Sequence, residues 1–187
     1  MSAGGTPSNV DLGAGRLYFA PLGTTEPTSC SAALPSAWIA VGYTEDGTSV
    51  DTDITSEAIE VAEEIDPIGY EQTKRTTKLN FQMAETTVKR LALALGAGAG
   101  YSDTGGATFE FPDAGSVVAV MLVWDSEDTV TATNKRWLFR KCTPSGTTSI
   151  ARKKAPAKAL IPVTFDCAKP DGSTKSIKVF SNSSGQI

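Results

Sequence analysis

Histidine is absent from all 187 residues. Its absence removes the side chain that most often moves protons near neutral pH and most often ligates transition metals. Serine-histidine, cysteine-histidine and histidine-metal chemistry are therefore excluded within the chain. Cysteine is scarce: Cys30, Cys142 and Cys167 are odd in number, far apart in sequence and show no CxxC or CxxH pairing. Neither a secreted disulfide framework nor a zinc site is indicated, and a reducing cytoplasm is the simplest place of synthesis. Long apolar runs are missing too. The longest, Val117 to Trp124, falls far short of the roughly 20 residues a membrane-spanning helix needs. The start, Met1-Ser-Ala-Gly-Gly-Thr-Pro7, lacks the basic and apolar blocks of a signal peptide. No membrane insertion is expected.

What is present is charge, unevenly placed. The net charge is −4, yet Glu45 to Arg75 holds ten acids against Lys74 and Arg75, a net −8. Lys135 to Lys178 holds eleven bases against Asp166 and Asp171, a net +9. Any single charge is most simply a solvated one. Two blocks of opposite sign in one chain suggest surfaces that meet, within the domain or between copies. The basic block lacks the interleaved aromatics of a nucleic-acid stacking platform.

Period-two alternation dominates the chain. Leu79, Phe81 and Met83 alternate with Lys78, Asn80 and Gln82, which predicts a half-buried antiparallel strand. Further strands are expected at 13–21, 38–43, 108–111, 136–143, 159–167 and 176–180. The run Val117 to Trp124 is apolar on both faces and predicts a central strand covered on each side. Ile59, Val61 and Ile65 suggest another strand face, with a bulge at 62–64. Gly47 to Ile54 is polar and reads as a hairpin arm. The one expected helix spans about 85–96, with Val88, Leu91, Ala92 and Leu95 at helical spacing and Gly96 just past its end. Together these give a mainly β (α+β) fold of about eight or nine strands: two packed antiparallel sheets, a sandwich or barrel, with one flanking helix. A single domain over 1–187 is expected, with an acidic hairpin arm at about 44–75 and flexible termini at 1–9 and 181–187.

Chemistry has little to work with. Glu63 and Glu64 are adjacent and on a strand would point to opposite faces, unlike the paired carboxylates of a glycosidase. Asp51 and Asp53 lack the glycine and distal glutamate of a calcium loop. Gly96-Ala-Gly-Ala-Gly100 follows a helix and is not succeeded by GK[ST], so it reads as a helix stop and linker. No catalytic, cofactor or metal residue is assigned.

Three segments, Gly15-Arg-Leu-Tyr-Phe-Ala-Pro-Leu-Gly-Thr-Thr-Glu-Pro-Thr28, Ala37-Trp-Ile-Ala-Val-Gly-Tyr-Thr-Glu-Asp-Gly47 and Phe81-Gln-Met-Ala-Glu-Thr-Thr-Val-Lys-Arg-Leu91, resemble the major tail proteins of long, non-contractile-tailed phages (siphophages) infecting actinobacteria. The likeness covers roughly the first half; the second half matches in strand pattern. The resemblance implies a tail tube subunit: six copies close into a ring with a continuous inner β-barrel. Rings stack around a tape measure protein that DNA later replaces, between tail terminator and distal tail proteins. The place implied is the virion tail, after assembly in the host cytoplasm. DNA that slides without being held calls for carboxylates on the bore, and Glu57, Glu60, Glu63, Glu64 and Asp66 are the expected lumen residues. Expected contacts between subunits or rings are Thr48, Val50, Asp51, Asp53, Arg152, Lys153, Lys154 and Lys158. The alternatives are a binding module, such as a capsid decoration or adhesion domain, and the inner tube of a contractile injection system.

Overall fold

In the computed structural model the chain is described at residues 15–97, 108, 110–113, 115–127, 134–151, 154 and 157–182. Eight strands and one helix follow in order: β1 (Gly15–Pro21), β2 (Ile39–Ala40), β3 (Thr44–Ile59), β4 (Gly69–Met83), α1 (Val88–Ala94), β5 (Val120–Glu127), β6 (Asn134–Ser145), β7 (Ile161–Ala168) and β8 (Ile177–Ser181).

All eight belong to one antiparallel sheet, ordered β2-β1-β5-β6-β7-β4-β3, with β8 attached to β6. The expected pair of separate packed sheets is therefore replaced by one sheet that curls on itself. The curl is visible in the main core. Leu17 and Phe19 of β1 and Val120 and Leu122 of β5 share a cluster with Leu79, Phe81 and Met83 of β4 and Val163 and Phe165 of β7. Strand β6 makes the turn possible. Its first half, Lys135 to Phe139, pairs with β8, and its second half, Lys141 to Ser145, pairs with β7. One long strand thus changes neighbours midway and carries the sheet around a corner.

The strand alternation decides which side chains fill that core. Phe81 and Phe165 stack with centroids 5.8 Å apart, and Trp124 lies against Trp137 across the β5–β6 ladder. The opposite face of β1, β5 and β6 supplies a second, smaller cluster: Ala20, Met121, Val123 and Leu138, closed by Trp38. Strand β5 is therefore covered on both faces, as its apolar run requires. It begins at Val120, however, and Val117 and Val118 are exposed.

The loop that carries Trp38 is held by Arg136, which is buried. Its guanidinium donates to both oxygens of Asp125 at 2.6 and 2.8 Å and to the Ser29 and Ala32 carbonyls at 2.8 Å. A buried cation is tolerated only when its donors are matched in this way.

Two expected elements are shorter than their patterns suggested. The strand at 38–43 reduces to Ile39–Ala40 because the chain turns at Gly42, φ +94. A Cβ there would fall 2.4 Å from the Glu85 carboxylate. The helix covers seven residues, since Thr87 is still extended and Glu85 is used elsewhere. The Glu85 carboxylate accepts from the Tyr43 backbone N–H and pairs with Arg90, whose Nε donates to the Val41 carbonyl. The helix closes one end of the core with Leu93, and Gly96 ends it at φ +75 as expected. Of the strand expected at 108–111, Thr108 makes an isolated bridge, Glu110 and Phe111 are not in a strand, and Phe109 lies outside the described residues.

Candidate assembly surface

Strands β3 and β4 pair with each other from Thr44–Met83 to Ile59–Gly69. Strand β7 accompanies β4 only from Thr77 to Met83. Beyond Thr76 the two strands form a free ribbon, and every residue from Asp51 to Ile68 is exposed. From Asp53 to Ile59 alone this arm extends ~20 Å, at about 3.4 Å per residue. A two-stranded ribbon is marginal in water without a partner surface. Residues 60–68 form the tip, so Ile59, Val61 and Ile65 are not one strand face. The register shifts fall instead between Glu45 and Thr48 and between Thr55 and Ser56.

The tip is both acidic and apolar. Glu60, Glu63, Glu64 and Asp66 sit among Ile65, which is 102% exposed, and Ile68, 61% exposed. Tyr70 is exposed on the ribbon behind them, and Tyr43 at its foot. Exposed large apolar groups gathered on one projection mark an interaction site more often than scattered ones do.

The register assigns the ribbon two faces. Val50, Thr52 and Ile54 continue the core face: Val50 packs on the core opposite Leu79, and the Thr52 and Thr77 hydroxyls are 3.3 Å apart. Asp51, Asp53 and Glu57 lie on the other face with Lys74 and Lys78. That second face runs on across the sheet through Asn80, Thr164 and Asp166. Asn80 Nδ2 donates to Asp51 at 2.6 Å, and Thr164 donates to Asn80 Oδ1 at 2.7 Å. Lys78 stands between Asp51 and Asp166 in the ladder, a cation flanked by two carboxylates. The face is polar and continuous; Thr147 and Lys158 approach it at one end, beside Asn80 and Glu45, and no described strand or helix lies across it.

Among the described residues the main path of the sheet ends in two unlike edges, apart from β8 at the side of β6. At one end β2 pairs with only Tyr18 and Phe19 of β1, so Gly15 and Arg16, which pair with β5 on the inner side, have no strand on the outer side among the described residues. At the other end is β3, sixteen residues long. Curling brings these edges to the two sides of a cleft of about 680 Å³ without joining them. Arg16, Leu17 and Tyr18 line one side, Thr44 and Thr48 the other, and Trp124 contributes to its wall. The Trp124 indole Nε1 is shielded from solvent and has no acceptor among the described residues.

The residues singled out from sequence fall into distinct places. Thr48 faces the cleft and Val50 the core. Asp51, Asp53 and Glu57 share the polar face, while Glu60, Glu63, Glu64 and Asp66 occupy the tip. Lys158 donates to Glu45 at 2.7 Å, so the two oppositely charged segments touch within one molecule at that point. Lys154 is exposed, and Arg152 and Lys153 lie outside the described residues. A second intramolecular pair, Arg140 with Glu26 at 2.6 and 3.0 Å, pulls the Glu26 carboxyl below its usual range. Asp171 is held at about 2 by bonds from the backbone N–H and hydroxyl groups of Thr174 and Ser173, and caps its own turn. The apolar tip residues were missed because exposure cannot be read from hydrophobicity.

Unlike edges, a self-paired arm and a bare polar face define a structural building block, a β-rich subunit whose surfaces suit joining to others. A family model for phage tail tube protein matches residues 8–185, and the chain belongs to that family. It is a structural protein of the virion tail, in a family whose members assemble into a tube with other tail components. Among solved structures, a chain from the cryo-EM structure of the anti-feeding prophage baseplate, 6-fold symmetrised, is similar at 10% identity and a TM-score of 0.46, covering 94% of this chain and 97% of that one. No curated protein matches.

Proposed function

We propose that the protein forms hexameric rings that stack into the tube of a long, non-contractile tail, the conduit for DNA ejection, in a phage of actinobacteria. The observation that carries this reading is the arm: a ribbon with both faces in water and isoleucines at its tip is a contact waiting for a neighbour. Docking it on the next copy, in the same ring or the adjacent one, covers Ile65 and Ile68 and supports the ribbon along its length. The open edges of β1 and β3 favour closure between subunits, since closure removes unpaired strand edges. Contacts between unlike surfaces repeat without self-limiting, which suits a filament.

The polar face supplies the inner wall in this arrangement. Asp51, Asp53, Glu57 and Asp166 outnumber Lys74 and Lys78 on this face, and Lys78 is flanked in the register by Asp51 and Asp166, so the surface met by passing phosphates is net negative. Glu60, Glu63, Glu64 and Asp66 extend the negative surface to the tip. Lys154, Lys158, Arg152 and Lys153 belong to outer or inter-ring contacts. A tape measure protein occupies the bore before DNA, and tail terminator and distal tail proteins close the ends.

Negative-stain microscopy of the concentrated protein tests the reading. Six-membered rings or uniform hollow tubes are expected. Monomers at every concentration, with or without the partner proteins, would overturn it.

A further inference from the structure

Cys142 and Cys167, 25 positions apart in sequence, are direct partners in the β6–β7 ladder. Their Sγ atoms are 3.7 Å apart, and both are free thiols. Opposite residues in antiparallel strands have Cα atoms about 4.5–5.5 Å apart, inside the roughly 4.4–6.8 Å that a disulfide spans. Bond formation therefore needs side-chain rotation and little backbone movement.

We infer that Cys142 and Cys167 are a site of oxidative modification, closing to a cross-strand disulfide when the protein meets a disulfide oxidant such as glutathione disulfide. Cys142 is fully buried and Cys167 is partly exposed, which sets the order of events. The Cys167 sulfur attacks the oxidant, forming a mixed disulfide and releasing one glutathione. The Cys142 sulfur then attacks the Cys167 sulfur and expels the second glutathione. The two thiol protons leave with the two glutathiones, so one oxidant is reduced for each protein disulfide formed. Burial and the adjacent Cys167 hold the Cys142 thiol protonated, so the pair persists as thiols where a reducing buffer is present. Cys30 lies apart, in a groove also lined by Arg16, Asp125 and Asn134.

The position gives the bond its effect. Among the described strands, β7 alone links β4 and β3 to the rest of the sheet. A bond from β6 to β7 clamps the arm-bearing half to the other half and encloses the segment that contains Lys154 and Lys158. It tightens the subunit once the protein reaches an oxidising medium, where such bonds persist.

The full-length protein, purified with reductant and then exposed to glutathione disulfide, provides the test. Two of the three thiols should become resistant to alkylation after denaturation, with a mass loss of about 2 Da and a Cys142–Cys167 linked peptide. The melting temperature should rise by about 5–10 °C and return on reduction. Cys30→Ala should keep both responses, and Cys167→Ala should lose both. Three alkylatable thiols after oxidation, or separate glutathione adducts on Cys142 and Cys167, would overturn the inference. The test needs only the monomer, so its outcome is independent of ring or tube formation.

Discussion

Replacing Ile65 and Ile68 by serine separates folding from assembly. Ile65 is 102% exposed and Ile68 61% exposed in the subunit, so neither contributes to the core. Surface replacements of this kind change subunit stability by about 0.5 kcal/mol or less. If the tip docks on a neighbour, burying one such side chain contributes about 1.5–3 kcal/mol, which raises the critical concentration for polymerisation about 10- to 150-fold for each isoleucine lost. The critical concentration is read from the onset of light scattering or from the unpelleted fraction after centrifugation, and thermal melts of the subunit serve as the control. A double variant that polymerises within threefold of the parent, with an unchanged melt, would show that the tip stays in solvent and refute the docking argument.

Two further outcomes follow from charged pairs within the subunit. Arg136→Met leaves Asp125 unpaired and strips the Ser29 and Ala32 carbonyls of their donors, and should cost about 3–5 kcal/mol in denaturant unfolding; a loss below about 1 kcal/mol contradicts the assigned role. Glu26 is depressed by Arg140 in the folded protein, so its contribution is fully present above the ordinary glutamate value of about 4.3 and disappears as pH falls through the lower folded value. Glu26→Gln should flatten the acid limb of the stability profile in that window, and an unchanged acid limb would show the pair to be energetically silent.

The strands were legible wherever one face is buried. Leu79, Phe81 and Met83 announced β4 because a half-covered strand must alternate, and Val120 to Val123 announced β5 because both its faces are covered. The ribbon was legible as polar, and its turn was not: Ile59, Val61 and Ile65 resemble a strand face when the fold that would bury them is assumed. The single curled sheet was hidden because it depends on β6 exchanging β8 for β7 as a neighbour, a long-range event that alternation does not encode. The same pairing brings Cys142 beside Cys167, which spacing alone had set apart. Helix length was misjudged at Glu85, whose carboxylate is committed to Tyr43 across the fold and to Arg90 of the helix. The acidic candidates for the assembly surface were recognisable as a charged block, but their division between face and tip needed the register.

The sixteen-residue edge of β3 also restricts what the subunit can pair with. Such an edge ordinarily invites a second copy of itself, giving a two-fold dimer that ends growth or an amorphous aggregate. This one carries Asp51, Asp53 and Glu57 along its length, beyond Glu45, which Lys158 already holds. Bringing two β3 edges together would set carboxylates against carboxylates, whereas the opposite end of the sheet offers Arg16. Repulsion between like edges thus disfavours a two-fold pairing of β3 with itself. Under the proposed assembly, that leaves the head-to-tail match of unlike edges that a closed ring uses.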